Sequence, residues 1–348
     1  MKYAQLGTTG VFVSSISLGA MSFGGRGSQV WEAVGALDVK DTDRLVGTAL
    51  DHGVNLIDTA DVYGGGESEE FLGQVLGARR RDVVLATKMT ARTAGGPNDV
   101  GQSRLHIMRS LEDSLRRLRT DHIDLYQIHN IDPITPFEES LAALDDAVHQ
   151  GKVRYVGASN LTAWQAMKAL GVSERRGWAR FVSLQAQYSL AARDIEREIL
   201  PLLQDQGLGL LVWSPLAAGL LSGKFDRTGT SDGAARRNQF QFPPVNLERA
   251  YDVIDVLREV AARHEVEVAR VALAWVLSRP GVSSVIIGAK RPEQLTGNLA
   301  AVELELTERD LAELDAASAL PVEYPGWIQA DHSDRFPKQG AWEFTPQG

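Results

Sequence analysis

Four side chains stand where short apolar runs give way to polar sequence. Asp58 ends the run VNLID, Lys88 ends VVLATK and His129 ends HIDLYQIH; Tyr63 follows Asp58 in LIDTADVYGGGESEE, just ahead of Gly64, Gly65 and Gly66. Their types suit one another. A tyrosine ionises near pH 10, about three units above neutrality. A nearby ammonium favours the phenolate and makes the proton easier to release. A carboxylate beside that ammonium keeps it charged and aimed, and a histidine can hydrogen-bond a carbonyl oxygen and orient it. Together they would make a proton-donating site for reducing a carbonyl, with the hydride arriving from elsewhere. Singly, each has a plain structural alternative: a turn cap, a half-exposed aromatic, a charge at a strand exit, a satisfied core histidine. Lys88 could also serve Schiff-base chemistry, as in an aldolase. What sets the four apart is their joint occurrence at the ends of three consecutive strand-like runs.

Bringing them together requires a scaffold that gathers strand ends. Eight short β-branched runs recur along the chain: 14–19, 54–58, 83–88, 122–129, 153–159, 181–185, 208–213 and 283–288. Amphipathic stretches separate them, as where Leu105, Met108, Leu111, Leu115 and Leu118 recur at spacings of three and four, and again over 247–263. Strands alternating with helices predict a parallel sheet covered by helices. Eight such units in 348 residues favour a closed (β/α)8 TIM barrel, taken as a single domain over 1–348. The polar residues Asp58, Lys88, His129, Ser159, Gln185 and Ser214 then converge on the C-terminal face of the barrel. The first twenty residues read as an N-terminal β-hairpin around Gly7 and Gly10. Two additions stand out: a long loop after the seventh strand, 217–247, and a C-terminal tail, 320–348, carrying Tyr324, Trp327 and Trp342. The tail has no helical period and could cover the barrel mouth or fray.

Composition narrows the function classes. A formal net charge of -9 argues against general nucleic-acid or membrane-surface binding. The absence of cysteine removes disulfides, thiolate nucleophiles and zinc–thiolate sites, and suits a cytoplasmic protein. Serines and glycines interrupt the apolar N-terminus, so no signal sequence is expected there, and no run approaches the ~18 apolar residues of a membrane helix. No metal site is expected. A monomer or weak oligomer is expected, because no long apolar exposed stripe is evident.

The ordered set of segments LIDTADVYGGGESEEFLG, ATK, DLYQIHNID, GKVRYVGASN, SLQAQYSL, WSPLAAGLLSGK and VIIGAKRPEQLTGN resembles the aldo-keto reductase family across nearly the whole chain. The form WSPLAAGLLSGK is similar to the bacterial branch akin to potassium-channel β subunits. The resemblance implies an NADPH-dependent reductase of a small carbonyl substrate. Tyr63 would be the general acid, Lys88 would lower its pKa, Asp58 would hold Lys88, and His129 would orient the carbonyl. Ser159, Asn160 and Gln185 would hold the nicotinamide carboxamide, Trp213 would stack on its ring, and Gly19, Ala20 and Met21 would lie beside it with Asp58. Ser214, Pro215, Leu216, Ala217, Gly219 and Lys224 would follow the pyrophosphate. Gly288, Lys290, Gln294 and Asn298 would surround the adenosine end.

No G-x-G-x-x-G fingerprint accompanies this, which counts against a separate dinucleotide domain but not against binding at a barrel mouth. Lys224, Arg236, Arg237, Lys290 and Arg291 fall in the loops after the seventh and eighth strands. Their clustering suggests a phosphate-rich ligand and favours NADPH over NADH, with Arg237 counted among the cofactor contacts. Phe23 and Trp31, with Tyr188, Tyr324 and Trp327, are the aromatic candidates for a substrate pocket. Three rivals stand beside the reductase: a cofactor-bound regulatory subunit of the channel-β type, the Schiff-base aldolase, and a catalytically idle scaffold.

Overall fold

Each of the eight apolar runs forms a strand, and the eight close on themselves. The computed structural model describes residues 1–229 and 235–330. A hairpin of β1 (Tyr3–Gln5) and β2 (Phe12–Ser14) comes first. The barrel strands are β3 (Ile16–Gly19), β4 (Leu56–Asp58), β5 (Val84–Met89), β6 (Ile123–Ile128), β7 (Val153–Ser159), β8 (Phe181–Gln187), β9 (Gly209–Trp213) and β10 (Val282–Ile287). All neighbours are parallel, and β10 pairs with both β9 and β3 to complete the ring.

The helices on the outside are α1 (Gln29–Val34), α2 (Val39–Asp51), α3 (Glu67–Leu76), α4 (Arg104–Leu118), α5 (Phe137–His149), α6 (Ala163–Arg176), α7 (Ile199–Gln206), α8 (Arg236–Gln239), α9 (Leu247–His264), α10 (Val268–Leu277), α11 (Pro292–Leu299) and α12 (Glu308–Ser318). Several begin at side-chain caps that the sequence supplies. The Asp38 carboxylate accepts from the N–H groups of Lys40 and Asp41, and Asn246 accepts from Arg249. Thr162 and Gln165 form a reciprocal capping box.

Some expected boundaries shift for local reasons. The first run loses Ser14 to the hairpin, and the second loses Asn55, whose side chain accepts from the Ser14 N–H at 2.7 Å and donates to the Phe12 carbonyl at 2.9 Å. The sixth run is longer than expected, because Ala186 and Gln187 still pair with Val212 and Trp213. The α4 stripe is rotated: Ile107, Leu111, Leu115 and Leu118 are buried, whereas Leu105 is 45% exposed. Only one side of the first turn reaches the barrel, and His106 and Ile107 occupy it.

The hairpin seals the N-terminal end of the barrel. Leu6 and Val13 pack with Leu56, Ala86, Leu125 and Leu211 in a separate apolar cluster inside the ring. Hydroxyls of Ser283 and Ser284 tie β10 to the carbonyls of Gln5 and Ser14 at 3.0 and 2.7 Å. One end of the barrel is thus closed by apolar packing, and the polar strand ends lie at the other.

Within the connection after β9, the described part carries a short turn of helix at Leu220–Ser222 and then α8. By its contacts the chain divides into Met1–Ser318, which holds the barrel, and Ala319–Gly348. The second unit contains α13 (Gly326–Ala330), and its Tyr324 and Trp327 rings meet with centroids 6.3 Å apart. Trp342 lies outside the described residues.

Gly73 marks the closest approach of two outer helices. A Cβ there would collide with the Arg117 carbonyl oxygen and lie 2.7 Å from the Leu118 carbonyl carbon at the end of α4. Helix propensity favours Ala over Gly by about 1 kcal/mol, but a clash with rigid backbone costs about 1–3 kcal/mol or more. Gly73→Ala is therefore expected to destabilise the protein in urea unfolding. A midpoint equal to or above the parent's would contradict this packing.

Candidate active site

Strand pleating places the central residues. Side chains alternate between faces along a strand. Leu125 points into the ring, so Gln127, two residues on, does too. Ala86 and Lys88 stand in the same relation on β5. The register sets Asp58 beside Ala86, and Lys88 beside Gln127. Gln185 enters from β8. Between them, β7 offers only Gly157, where a Cβ would lie 3.2 Å from the Gln127 Cγ. The missing side chain leaves room for two glutamines to reach across.

Lys88 is fully buried at the centre of this layer. Its Nζ donates to the Asp58 Oδ1, to the Thr59 carbonyl at 2.8 Å and to the Tyr63 hydroxyl at 3.4 Å. The second Asp58 oxygen accepts from Gln185 Nε2 at 2.8 Å and from Gln127 Nε2 at 3.1 Å. Every polar group of the ion pair is thus answered, as a buried charge pair requires. Burial alone would lower the Lys88 pKa, but Asp58, reinforced by Tyr63, outweighs it and leaves the ammonium above its ordinary value. A lysine held charged in this way is not a nucleophile, which removes the support for Schiff-base chemistry.

Tyr63 reaches the layer from the turn after β4. Gly64, Gly65 and Gly66 all have positive φ (60°, 70° and 103°), and a Cβ at Gly64 would sit 2.9 Å from the Phe23 carbonyl oxygen. The three glycines let the backbone swing into α3 directly behind the tyrosine. Lys88 pulls the phenol pKa down, as expected of it, but it does not set the net direction. Burial pushes it up, Lys88 pulls it back, and the balance stays above the ordinary value, with Asp58 adding to the rise.

His129 faces Tyr63 edge to ring, with centroids 5.8 Å apart at 79°. Burial, then the Lys88 charge, push its pKa down to about 3, so the imidazole is neutral at ordinary pH. Its Nδ1 is buried with no hydrogen-bond partner among the described residues. Trp31 approaches the other side of Tyr63, with centroids 6.0 Å apart. Of the other aromatic candidates, Phe23 is fully buried in the main core. Tyr188 is core as well: its ring packs 5.5 Å from Trp275 and its hydroxyl donates to Glu196 at 2.5 Å. Neither forms an exposed wall, because both side chains point into the layer between barrel and helices.

Several of the residues expected around a cofactor adjoin this centre. Gly19 pairs with Asp58, the Ala20 N–H donates to the Asp58 carbonyl at 2.8 Å, and Met21 follows half-buried. The Ser159 hydroxyl donates to the Gln185 carbonyl at 3.0 Å. The Asn160 amide donates to the His129 carbonyl at 3.0 Å and accepts from the Trp213 indole at 3.0 Å. Phe242 stacks on Trp213, 5.8 Å away at 7°. Beyond it the chain turns tightly through Ser214, Pro215, Leu216 and Ala217, with positive φ at Ser214, Ala217, Ala218 and Gly219. Lys224 is exposed after this turn. Arg237 is buried, its guanidinium donating to the carbonyls of Pro243 at 3.1 Å and Ala217 at 3.5 Å, so it braces the turn from behind. Gly288, Lys290, Arg291 and Gln294 lie exposed at the entrance to α11, and Asn298 is buried within that helix.

A model of the aldo/keto reductase family matches residues 15–319. An uncharacterized oxidoreductase of Bacillus subtilis, YrpG, is 40% identical over 327 residues, 90% of this chain and 95% of that protein. A protein of Arabidopsis thaliana named a probable voltage-gated potassium channel subunit beta is 38% identical over 87% of this chain and 92% of its own. The versiconal hemiacetal acetate reductase of Aspergillus parasiticus is 34% identical over 94% and 99%. Among the described residues no cluster of three or more His, Asp or Glu could hold a metal ion, and no helix is long and apolar enough to cross a membrane.

Sequence reasoning missed two contributors. Gln127 was detectable, since it follows Leu125 by one strand period. The other is a buried cluster behind β5. Thr87, which faces away from Lys88, donates to Glu69 at 2.5 Å, and Arg117 Nε pairs with the same carboxylate at 2.7 Å. Asp61 lies against this pair, 2% exposed, and among the described residues neither of its carboxyl oxygens nor the nearby Tyr126 hydroxyl has a side-chain hydrogen-bond partner. Burial and then Glu69 push the Asp61 pKa from 3.8 up to about 8, against the weaker pull of Arg117 and Lys88. The carboxyl is mostly protonated at neutral pH. An acid whose pKa is higher folded than unfolded takes up a proton on folding, so its contribution to stability is lost as pH rises between the two values. Asp61→Asn, which is neutral at every pH, should gain on the parent in melting temperature from about pH 4 to about pH 8, with a constant margin above that. A margin that does not change with pH would show that Asp61 does not titrate in this interval.

Proposed function

The chain belongs to the aldo/keto reductase family and is an oxidoreductase, and from that premise we propose that it is an NADPH-dependent reductase of aldehydes or ketones, reversible, with Tyr63 as general acid. The observation that carries this reading is the Tyr63 hydroxyl within 3.4 Å of the buried, charged Lys88. A phenol kept protonated by burial holds a proton to give at neutral pH. As that proton leaves, negative charge develops on the Tyr63 oxygen, and the Lys88 ammonium is already in place to meet it, with no reorganisation needed. Asp58 and the two glutamines keep the ammonium charged and pointed. His129, neutral and in the same mouth, is suited to hold the carbonyl oxygen near the phenol.

The residues present suit a nicotinamide nucleotide. A Cβ at Gly219 would meet nothing within 4 Å, and one at Gly288 only the Gly19 carbonyl at 4.0 Å, so glycine leaves open room along the expected path. Gln187 Nε2, at the end of β8 beside Trp213, is buried without a partner among the described residues. Asn160, Ser159 and Gln185 would hold the carboxamide, and the turn 214–219 would hold the pyrophosphate. Lys290 and Arg291 would take a 2′-phosphate, which an arginine can grip through two hydrogen bonds and which would favour NADPH. Phe242 takes one face of Trp213, so a nicotinamide ring would use the other or displace Phe242. When bound, the cofactor supplies the hydride. A regulatory reading of the channel-β type draws on the Arabidopsis relative and would keep cofactor binding without turnover.

Tyr63→Phe should lower kcat for NADPH-dependent carbonyl reduction by about 10²–10⁴-fold, the usual worth of general acid catalysis, while NADPH affinity by fluorescence titration stays near the parent's. Retained turnover would sink the assignment of the acid, and NADPH binding without consumption in the parent would favour the regulatory reading. Trp213→Ala should weaken NADPH binding roughly 3- to 10-fold, the worth of one aromatic stacking contact. An unchanged dissociation constant would remove the stacking role.

A further inference from the structure

The turn that carries Tyr63 has little of its own to hold it. Gly64, Gly65 and Gly66 bear no side chains, and a Cβ at Gly65 would meet nothing within 4 Å, so the tip is unsupported from outside. Among the described residues the Tyr63 hydroxyl bonds only to Lys88. The turn is pinned at its base instead. The Thr59 hydroxyl donates to the Ser68 hydroxyl at 2.8 Å, and Ser68 donates to the Ala20 carbonyl at 2.8 Å. Thr87 donates to Glu69 at 2.5 Å. Both ties fall beside the central ion pair, because Thr59 follows Asp58 and Thr87 precedes Lys88.

Arg117 reaches this base from α4, on the outer side of the barrel wall. Its Nε and a terminal nitrogen meet one Glu69 oxygen at 2.7 and 2.6 Å, while Thr87 takes the other oxygen. The carboxylate is thereby left no freedom to turn. The arginine stem also lies against the turn itself: a Cβ at Gly66 would come within 3.1 Å of the Arg117 Cδ and 3.3 Å of its Nε. The Glu69 side chain is fully buried and that of Arg117 is 17% exposed. Asp61, the other acid against the pair, keeps its proton at neutral pH, which leaves the arginine to Glu69.

An ion pair buried in this way adds little net stability over apolar residues of the same volume. What it adds here is a fixed geometry. We propose that Arg117 and Glu69 are positioning residues for the Tyr63 acid: through Thr87 and Gly66 the pair sets the gap between the phenol and the Lys88 ammonium, from behind the barrel wall. The gap matters because the attraction between the ammonium and a developing phenolate falls with distance. This deepens the reductase reading and rests on it.

The test measures benzaldehyde reduction at saturating NADPH in the parent, Glu69→Gln, Arg117→Lys, and the double variant Glu69→Gln with Arg117→Met. The double variant removes both charges together, so no buried ion is left alone. It should lower kcat about 10- to 100-fold, the cost of a misplaced catalytic group. KM and NADPH affinity should stay near the parent's, as for an interaction that serves only the chemical step. Arg117→Lys, which keeps the charge, should retain more of kcat than the double variant. The same changes made in a Tyr63→Phe background should leave the residual kcat where Tyr63→Phe puts it, because residues that act through one group are not additive. Parent-like kcat in the double variant would overturn the proposal. So would an equal fall in both backgrounds, which would mark a general loosening of the barrel. If the double variant does not fold, Glu69→Gln and Arg117→Lys, which conserve volume, carry the same comparison, and parent-like kcat in both overturns it. If the parent reduces no carbonyl compound, the reductase reading falls separately. The positioning is then judged from crystal structures of the parent and Glu69→Gln: a phenol displaced from the Lys88 Nζ supports it, and coincident positions refute it.

Discussion

An ammonium buried inside a barrel survives only if its charge is matched and every one of its protons is accepted. Lys88 meets that condition through Asp58, the Thr59 carbonyl and the Tyr63 hydroxyl. The rest of the site follows from it. Asp58 must itself be satisfied, and Gln127, beside Lys88 on β6, and Gln185, across the ring on β8, do so. Those glutamines need a gap to reach across, which Gly157 provides. The Tyr63 phenol must come close enough to share the ammonium, and the three glycines behind it let the chain turn. One ion pair thus ties together residues on five strands and one loop.

The surrounding barrel makes this arrangement affordable. Its hairpin end is packed with aliphatic side chains, so only the opposite end admits polar groups and substrate. Water is kept from the pair on the closed side, which strengthens its field at the phenol. The same low polarity acts on everything nearby. It holds His129 neutral and keeps the Tyr63 proton in place at neutral pH, and it drives Asp61 toward its protonated form. These shifts have one origin in burial, and the local charges set how far each goes.

Among the described residues Asp61, Arg236 and Arg270 each have a buried polar atom without a hydrogen-bond partner. Asp61 is enclosed beside Glu69 and meets the cost by keeping its proton. The two arginines cannot shed their charge in the accessible pH range, so they stay cations.

Much of the architecture and of the candidate site was legible in the linear chain. Eight β-branched runs separated by amphipathic stretches imply the parallel barrel, and polar residues at run ends identify Asp58, Lys88 and His129, because these signals depend on local period and residue type alone. The tertiary structure decided the rest. Trp31 stands at the mouth while Phe23 and Tyr188 are core; Leu105 is left out of the α4 stripe; Arg236 and Arg237 diverge; and burial beats Lys88 in setting the direction of the Tyr63 pKa. Each of these depends on which neighbours surround a side chain once the ring closes. Asp58 and Gln185 are 127 positions apart in sequence yet share a hydrogen bond. Burial and electrostatic field are sums over such distant neighbours, and no local pattern in the sequence carries that sum.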